Sequence, residues 1–582
     1  MEEESRILKK KKRQRQIRRR VALFTGLLVL VGIGLVLYIK YAPTNKQMDP
    51  KTWFEQQTGA ALSETSPAVV LQDHVTDTPA RLENGQLYLP YNMVRENIFT
   101  RYYWDEENAV MLFTTAYENI TFTPDQTVYT VDGEETESEY PVVISRDDGL
   151  YVLASHMEQY VNVRISSYPE AYHILVDYKW GERQAAVVKK KTAVRANGGV
   201  KGLILTRVEA GGSVGVLEQG EKWSQVVTED GYIGYLQNKC LEEVQSVPFE
   251  HEFDAPEYPS LRLDDKVNLI WHQIGHPDSN GYLEQDTSEM TGVNVISPTW
   301  FFLSDNEGNF TSHADKTYVK KAHKAGLQVW GLVSNFSEDM STRTLMASTS
   351  ARLNLAQNLV DAALEYKLDG INVDFEAITE DAAYGYVQFM REISILCRKN
   401  GLILSVDIPV PYDFNLYYDR KELGTVVDYV IIMGYDEHYV GSDAGSVASL
   451  SFEEDGVRRT LRSVPAEKIV SGIPFYIRIW YSQTDENGEE SVWSEILSMN
   501  AVTRTLETYD VTPVWDEEAG QYYAQWTLDD GIECRIWVED EASIEKKVAL
   551  VSQYDLGGVA AWALGFERNT IWDVISEGIK DE

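Results

Sequence analysis

The chain has 582 residues, 43% of them hydrophobic, so it is long enough to form several domains. Its 91 Asp and Glu outweigh 53 Lys and Arg, and the net charge of −38 argues against nucleic acid as a partner. Three widely separated cysteines, Cys240, Cys397 and Cys534, match neither a disulfide framework nor a zinc-binding spacing. We therefore expect a multidomain protein with packed thiols and no metal or cofactor.

The first 39 residues have the pattern of a membrane anchor. Residues 1–20 hold ten Lys and Arg against three Glu, and the run from Val21 to Ile39 is uncharged and long enough to cross a bilayer. No small-residue cleavage site follows this run, so we predict an uncleaved transmembrane helix with the basic tail in the cytoplasm. A polar linker is expected over 40–66, and all that follows should be extracytoplasmic. The few cysteines suit the surface of a Gram-positive cell.

Residues 67–182 contain an internal repeat. Leu87–Leu89 returns as Leu150–Val152, and Val110–Phe113 returns as His173–Val176, both 63 residues later. Two copies of one small unit are predicted, each with a strand, a short helix and a strand pair. The segment resembles stalk domains related to the amino-terminal domain of copper amine oxidases. It lacks a dense set of histidines, so a spacer or docking role is expected.

Short β-runs interrupted by glycine follow over 185–246 and end with Gly231–Leu236. This pattern favours a small barrel and resembles bacterial SH3-like domains. Members of that group often bind cell-wall peptides. Three aromatic residues could form such a peptide groove or the core of the barrel, and both interpretations stay open: Trp223, Tyr232 and Tyr235.

After a Pro- and Glu-rich linker over 247–260, strand-like runs alternate with helical patterns over 261–582. The α/β order predicts a closed (β/α)8 TIM barrel with its active site at the carboxyl ends of the strands. A spacing too long for one helix predicts an α+β insertion over about 481–552, between strands seven and eight. The eight runs are 267–274, 294–303, 328–334, 370–375, 402–410, 428–433, 469–475 and 558–563.

The stretch from Asp369 to Glu376 carries the strongest functional signal. Polar residues alternate with apolar ones, so Asn372, Asp374 and Glu376 should share one face of a strand. Two carboxylates on such a face repel each other and are poorly solvated, which raises a pKa and produces a general acid near neutral pH.

Together with Met433-Gly434-Tyr435-Asp436 and Trp562 at later strand ends, this stretch resembles the motifs of glycoside hydrolase family 18. The resemblance implies that Glu376 is the acid and base, and that the substrate's own 2-acetamido oxygen is the nucleophile. It also implies that Asp374 orients the acetamido group and that Tyr435 hydrogen-bonds its oxygen. The residues assigned to substrate binding are Asn372, Asp369, Met433, Asp436, Trp562, Trp300 and Trp271. For Trp271, Trp300 and Trp330, packing in the barrel core is the alternative.

This mechanism requires an N-acetyl group next to the cleaved bond. An anchored protein favours peptidoglycan or a chitin-like polymer, and Ile296–Trp300 with Asn372 resembles the spore-cortex-lytic N-acetylglucosaminidase branch of the family. The alternative is a non-catalytic glycan-binding or spore or wall assembly protein that uses the same groove. The family usually has an aspartate at the position of Asn372, which shares a proton with the next aspartate. We therefore expect Asp374 to stay ionised more of the time and the pH profile to be altered.

Three histidines are candidate site residues. His272 and His276 leave a predicted strand rather than a helix, so their spacing is a weak indication of zinc. His438 follows Asp436 and could contact substrate or make a structural hydrogen bond.

Overall fold

The computed structural model describes residues 2–484 and 488–580, and the chain divides into two compact units. The first unit contains the chain up to residue 100 together with 122–129 and 137–255. The second contains 101–121, 130–136 and the chain from 256 onward. The tandem repeat, predicted as one module, is therefore divided between the two units.

The first unit begins with a continuous helix, α1 (Glu2–Tyr41), which joins the basic tail to the apolar run. By length and composition this helix could cross a membrane, and none of its residues is buried. The predicted linker over 40–66 is wrong in part, because it contains helix α2 (Pro50–Thr58). Burial of Trp53 and Phe54 stabilises this helix. The ring centroid of Trp53 lies 5.8 Å from that of Tyr232, and the ring centroid of Phe54 lies 5.6 Å from it.

The two copies of the repeat have equivalent elements. In both copies a strand is followed by a short helix and an antiparallel strand pair, and the first strands of the copies pair with each other through Leu89 and Val152. The elements are β1 (68–71), β2 (74–75), β3 (81–83), β4 (86–90), α3 (91–93), β5 (102–105), β6 (110–114), β7 (119–122), β8 (128–131), β9 (134–137), β10 (143–146), β11 (149–153), α4 (154–157), β12 (164–168) and β13 (173–177). The hairpin β12–β13 belongs to the first unit, whereas its counterpart β5–β6 belongs to the second.

A seven-stranded sheet completes the first unit, in the order β16-β15-β19-β18-β17-β14-β20. Its strands are β14 (181–187), β15 (192–195), β16 (204–208), β17 (213–219), β18 (223–228), β19 (233–237) and β20 (245–249). The linker therefore starts after Phe249 and not at residue 247. Tyr232 is only 5% exposed and packs on helix α2, so this ring is core, while Trp223 and Tyr235 are half-buried.

The second unit contains the predicted barrel. Eight parallel strands close through pairing of the first strand with the second and the eighth, as at Leu269 with Val295 and Ala560. They are β21 (267–272), β22 (295–303), β24 (328–334), β25 (370–374), β26 (403–409), β27 (429–433), β28 (469–474) and β34 (558–562), with β23 (310–312) as an antiparallel addition to β22. The surrounding helices are α5 (283–286), α6 (316–324), α7 (342–347), α8 (349–366), α9 (380–400), α10 (420–426), α11 (450–460), α13 (541–553) and α14 (571–578).

The insertion between strands seven and eight starts earlier than expected, at Tyr476, and ends at Val538. The predicted end at 552 is wrong because α13 packs on the barrel strand β28. The insertion consists of β29 (476–484), β30 (490–498), α12 (499–508), β31 (514–516), β32 (521–527) and β33 (533–538).

Alternation along each barrel strand decides which side chains reach the interior. In β21, Val267, Leu269 and Trp271 enter the inner cluster of the barrel, whereas Ile270 joins the layer between strands and helices. In β25, Ile371 and Val373 lie in that outer layer. Asn372 and Asp374 therefore face the interior, near the carboxyl end of the strand.

In the second unit, hairpin β5–β6 and the preceding Arg101 contact helices α8, α9 and α10, where buried charges pair. Arg352 pairs with Glu392 at 3.1 Å, and Glu422 of α10 accepts from Arg391 at 2.7 Å and from Arg101 Nη2 at 3.2 Å. Gln388 connects the two groups by bonding to Glu392 and Arg391. Tyr103 of the hairpin accepts a hydrogen bond from Arg352 at 3.2 Å. We call these charged residues the paired cluster: Arg101, Arg352, Arg391, Glu392 and Glu422.

Candidate active site

The fourth barrel strand places Asn372 at the centre of a buried polar network. Its side-chain oxygen accepts from the indole of Trp271 at 2.9 Å and from the hydroxyl of Ser297 at 3.0 Å. Its amide nitrogen donates to Asp407 Oδ1 at 2.8 Å. Asn372 is completely buried, and these contacts fix the direction in which its amide points. Its role in the structure is to connect neighbouring strands.

Asp374 follows two residues later on the same face and is only 5% exposed. Its Oδ1 atom is buried without a hydrogen-bond partner among the described residues. Burial, and next the nearby charge of Glu376, raise the pKa of Asp374 to about 8. Burial and the neighbouring charge therefore act against the expectation that Asp374 stays ionised more of the time.

Glu376 comes just after the strand and opens onto a cavity of about 460 Å³. Asn335, at the end of the third strand, holds its backbone by accepting from the Glu376 N–H at 3.0 Å and donating to its carbonyl at 2.9 Å. Burial, and next the charge of Asp436, raise the pKa of the Glu376 carboxyl. A protonated carboxyl at the wall of an open cavity is suited to act as a general acid.

The sixth strand delivers Met433, Tyr435 and Asp436 to the same cavity. Tyr435 is half-buried, and burial with the charge of Asp374 raises its pKa, so it remains a hydroxyl donor. Asp436 adopts a positive φ of 57° and accepts a hydrogen bond from Tyr476 at 2.6 Å. Arg478 lies 3.8 Å from the same carboxylate. Both partners come from the start of the insertion, and sequence reasoning identified neither residue as part of the site.

The tryptophans assigned to substrate binding take different positions. Trp562 is half-buried at the end of the eighth strand, with its ring 5.8 Å from that of Trp271. Trp271 is only 1% exposed and lies below the open site, where it holds Asn372. Its assignment as a direct substrate contact is therefore wrong. Trp330 is also core, stacked on Tyr429 at 5.5 Å.

Two other assignments are wrong. Trp300 is fully buried between strands and helices, where its indole donates to Asn280 at 2.9 Å and its ring packs on Tyr318. Asp369 precedes β25 at the amino end of the barrel, where it accepts from the Val329 N–H and contacts His323, both at 2.8 Å. Neither residue reaches the carboxyl ends of the strands, where the cavity lies.

The three histidines have structural partners. His272 is buried beside Tyr318 at 2.9 Å and Asp286 at 3.4 Å, and exposed His276 caps a helical turn. His438 lies against the Asp443 carbonyl at 2.9 Å. Over residues 2–484 and 488–580 no group of His, Cys, Asp and Glu has the arrangement of a metal site.

The loop after the fifth strand supplies site residues that sequence reasoning missed. It lines the cavity with aromatic side chains, of which Phe414 is 75% exposed and stacks on Tyr412 with ring centroids 5.6 Å apart. The signal was a dense aromatic run directly after a predicted barrel strand. The rings that this loop brings to the cavity are Tyr412, Phe414, Tyr417 and Tyr418, and Tyr439 comes from the loop after the sixth strand.

Asp407 is the second omission. It lies near the end of the fifth strand, is 1% exposed, and belongs with Asp374 and Glu376 to what we call the carboxyl cluster. Burial, and then the charge of Asp374, raise the pKa of Asp407 far above its usual range. The sequence signal for Asp407 was a charged residue within an apolar strand. Its position faces inward, because Ile403, four residues earlier on the same face of the strand, lies in the inner cluster.

The architecture and this geometry can be compared with known proteins. Residues 276–567, half of the chain, match the glycosyl hydrolases family 18. The chain belongs to glycoside hydrolase family 18. Residues 70–176 match the copper amine oxidase N-terminal domain, as the repeat indicated.

Relatives of the family 18 part include two proteins of Bacillus subtilis (strain 168). The chain is 25% identical over 320 residues to the uncharacterized glycosylase YvbX, covering 52% of this chain and 91% of that one. It is 24% identical over 248 residues to the cortical fragment-lytic enzyme, covering 42% of this chain but only 57% of that one. The solved C-terminal domain of a chitinase candidate from Desulfitobacterium hafniense DCB-2 is 21% identical with a TM-score of 0.51, covering 55% of this chain and all of that one. That structural match shares the barrel fold. The family 18 chain is a glycosidase.

Proposed function

We propose that the chain is a membrane-anchored extracytoplasmic glycosidase that cleaves β-1,4 bonds after N-acetylglucosamine in peptidoglycan or a chitin-like polymer. The observation that carries this proposal is the position of Glu376. Its carboxyl, with a raised pKa, opens onto the cavity beside Asp374, Tyr435 and Asp436. An intact acid in this setting favours catalysis over glycan binding alone.

The roles of the side chains follow from their environments. Glu376 donates its proton to the glycosidic oxygen and later takes one from water. The substrate's acetamido oxygen displaces the protonated leaving group at the anomeric carbon, and water then displaces the acetamido oxygen, so two inversions retain the configuration there. Asp374, as a carboxylate, accepts from the acetamido N–H, and the Tyr435 hydroxyl donates to the acetamido oxygen. Asp436 and Trp562 hold the sugar, the latter with its ring face.

The location is supported by helix α1, which is long and apolar enough to cross a bilayer and has ten Lys and Arg at its start. The wall as substrate is supported by the name of the cortical fragment-lytic enzyme among the relatives. Of the three aromatic residues predicted for a peptide groove, Tyr232 is core. Half-buried Trp223 and Tyr235 therefore remain available to contact a cell-wall peptide.

The test uses the full chain in detergent micelles. Purified vegetative and spore-cortex peptidoglycan and N-acetylglucosamine oligomers are digested, and new reducing ends are identified by mass spectrometry. We expect new N-acetylglucosamine reducing ends, and a loss of hydrolysis of about 1,000-fold or more in Glu376→Gln with glycan binding retained. Exposed Glu380, at the start of α9, provides the matched control Glu380→Gln, which should keep full activity.

Absence of hydrolysis by the folded wild-type chain between about pH 4 and pH 9, a range that spans the carboxyl titrations expected here, would contradict the proposal. Glycan binding without hydrolysis would instead support the non-catalytic alternative. Products that end in N-acetylmuramic acid would exclude the proposed bond specificity.

A further inference from the structure

The acidic strand lacks one carboxyl that the family usually places there. The position of Asn372 commonly holds an aspartate that shares a proton with the following aspartate, and an amide cannot take up that proton. In this chain the Asn372 amide nitrogen donates to a carboxyl on the next strand, Asp407, at 2.8 Å. The missing carboxyl is therefore present in the site, on β26 instead of β25.

Strand register places this carboxyl beside Asp374. Asn372 is level with Ser405 and Val373 with Val406 in the parallel pair of β25 and β26. The next step of the same register is Asp374 with Asp407. Adjacent strands lie about 4.8 Å apart, so two buried acidic side chains on the same inner face are close neighbours.

The surroundings of the pair offer no compensating positive charge. Within residues 2–484 and 488–580, no Lys, Arg or His lies within ion-pairing distance of Asp374, Asp407 or Glu376. The titratable groups that face the pair are Glu376 just after β25, Tyr435 after β27, and Tyr386 from α9. All of these are acidic or neutral. Two buried carboxyls in such a place cannot both be ionised, and at least one proton stays on the pair.

We propose that Asp407 is a positioning residue that holds, across the strand boundary, the proton which the family usually keeps at the position of Asn372. Asn372 occupies Asp407 Oδ1 with a donated hydrogen bond, which leaves Oδ2 to carry the proton. With the proton on Asp407, Asp374 is the carboxylate that faces the acetamido N–H, and Glu376 keeps its own proton for the leaving group. The proton passes only between Asp374 and Asp407, so the pair neither gains nor loses one over a catalytic cycle. The proposal rests on the proposed function and assigns a new residue to the same site.

A four-member mutant cycle tests this placement. The wild-type full chain is compared with Asp407→Asn, Asn372→Asp and the double variant, and the pH dependence of kcat and KM is measured on a chromogenic N-acetylglucosamine oligomer. Asp407→Asn should lower kcat by about 10-fold or more and move the acid limb to lower pH by about one unit, since Asp374 without a neighbouring carboxyl ionises more easily. Asn372→Asp, with three adjacent carboxyls, should also lose about 10-fold or more.

The double variant returns the carboxyl to the acidic strand and places the amide on β26. It should recover kcat to within about 3-fold of wild type, with an acid limb close to the wild-type one, a result that two independent defects would not produce. A double variant no better than either single variant would overturn the proposal. So would a pH profile of Asp407→Asn that superimposes on that of the wild type. The matched control is Asp555→Asn, which changes an aspartate with a side chain 90% exposed near the amino end of the eighth strand.

A second readout is independent of activity. Infrared titration of the full chain should show a protonated-carboxyl band at neutral pH that is lost or reduced in Asp407→Asn and unchanged in Asp555→Asn. If the wild type hydrolyses no glycan but this band behaves as expected, the proposed function fails while the proton assignment stands. If the wild type is active and the band is unaffected in Asp407→Asn, the proton assignment fails while the function stands.

Discussion

Two of the buried clusters of ionisable groups in the second unit differ in the presence of cations. In the paired cluster outside the barrel, burial acts to raise the pKa of Glu422, but Arg391 and Arg101 outweigh it and the pKa is lowered. In the carboxyl cluster inside the barrel, the residues that the structure describes supply no such partner, and the pKa values of Asp374 and Asp407 are raised. Burial alone therefore does not decide the charge of an acid. Paired acids stabilise the packing of the hairpin on the helices, whereas buried acids without a cation favour the protonated form.

The largest effect is expected from breaking the paired cluster. Arg352→Met keeps much of the side-chain volume but leaves Glu392 buried without its cation, which should lower the free energy of unfolding by about 3–5 kcal/mol. Thermal and urea unfolding of the full chain measure it. Arg343→Met removes an ion pair with Asp381 whose side chains are 69% and 52% exposed, and should change stability by less than about 1 kcal/mol. Equal effects of the two substitutions would contradict the distinction between buried and exposed pairs.

The next prediction concerns pH and Asp374. Because the pKa of Asp374 is raised to about 8 and that of its neighbour Asp407 is also raised, the native pair keeps a proton that the unfolded chain loses near pH 4. Stability from this pair is therefore complete at low pH and is lost as pH rises through about 8, with a slope of about 1.4 kcal/mol per pH unit for one proton. Asp374→Asn should reduce this slope while activity falls about 100-fold or more.

Urea unfolding at several pH values between about 4 and 9 checks the slope predicted by this linkage. Asp555→Asn again serves as the control, because the side chain it changes is largely exposed. An Asp374→Asn variant that is destabilised as much at pH 8 as at pH 5 would contradict the assignment of a retained proton.

The smallest effect comes from the support of Asn372. Trp271→Phe removes the indole donor to Asn372 Oδ1, so we expect a loss of about 1 kcal/mol in stability, with kcat about 5- to 10-fold lower and KM little changed. Trp300→Phe is the matched control, since its indole donates to Asn280 away from the cavity. It should cost similar stability with unchanged kcat. A fall in kcat for Trp300→Phe would contradict its assignment as a core residue and indicate that Trp300 contributes to substrate binding.

Much of the barrel was predictable because strand periodicity is a local property. The run 328–334 coincides with β24, and the other seven runs overlap their strands closely. The errors also have local causes. Trp300 lies three residues after inward Ser297, which places it on the opposite face, and Asp369 precedes a five-residue strand, about 16 Å from its carboxyl end. Attention to face and to strand direction would have excluded both residues.

Other features required the folded chain. The hairpin β5–β6 has the same repeat pattern as β12–β13, yet its Arg101 and Tyr103 meet helix residues more than 200 positions away in sequence. Tyr476 and Arg478 reach Asp436 only because the insertion starts directly at the end of the seventh strand. Such contacts leave no periodic signal, since they depend on the three-dimensional positions of distant elements.

The sequence by itself determined the barrel and the family and singled out Glu376 as the proposed acid, because these depend on alternation along strands and on motifs of a few neighbouring residues. It also exposed the departure at Asn372. Only the tertiary structure decided what that departure means, since the hydrogen bond from Asn372 to Asp407 joins adjacent strands that are separated by a long helix in the chain. The proton-holding carboxyl is set by lateral register within the barrel, a property that no single strand contains.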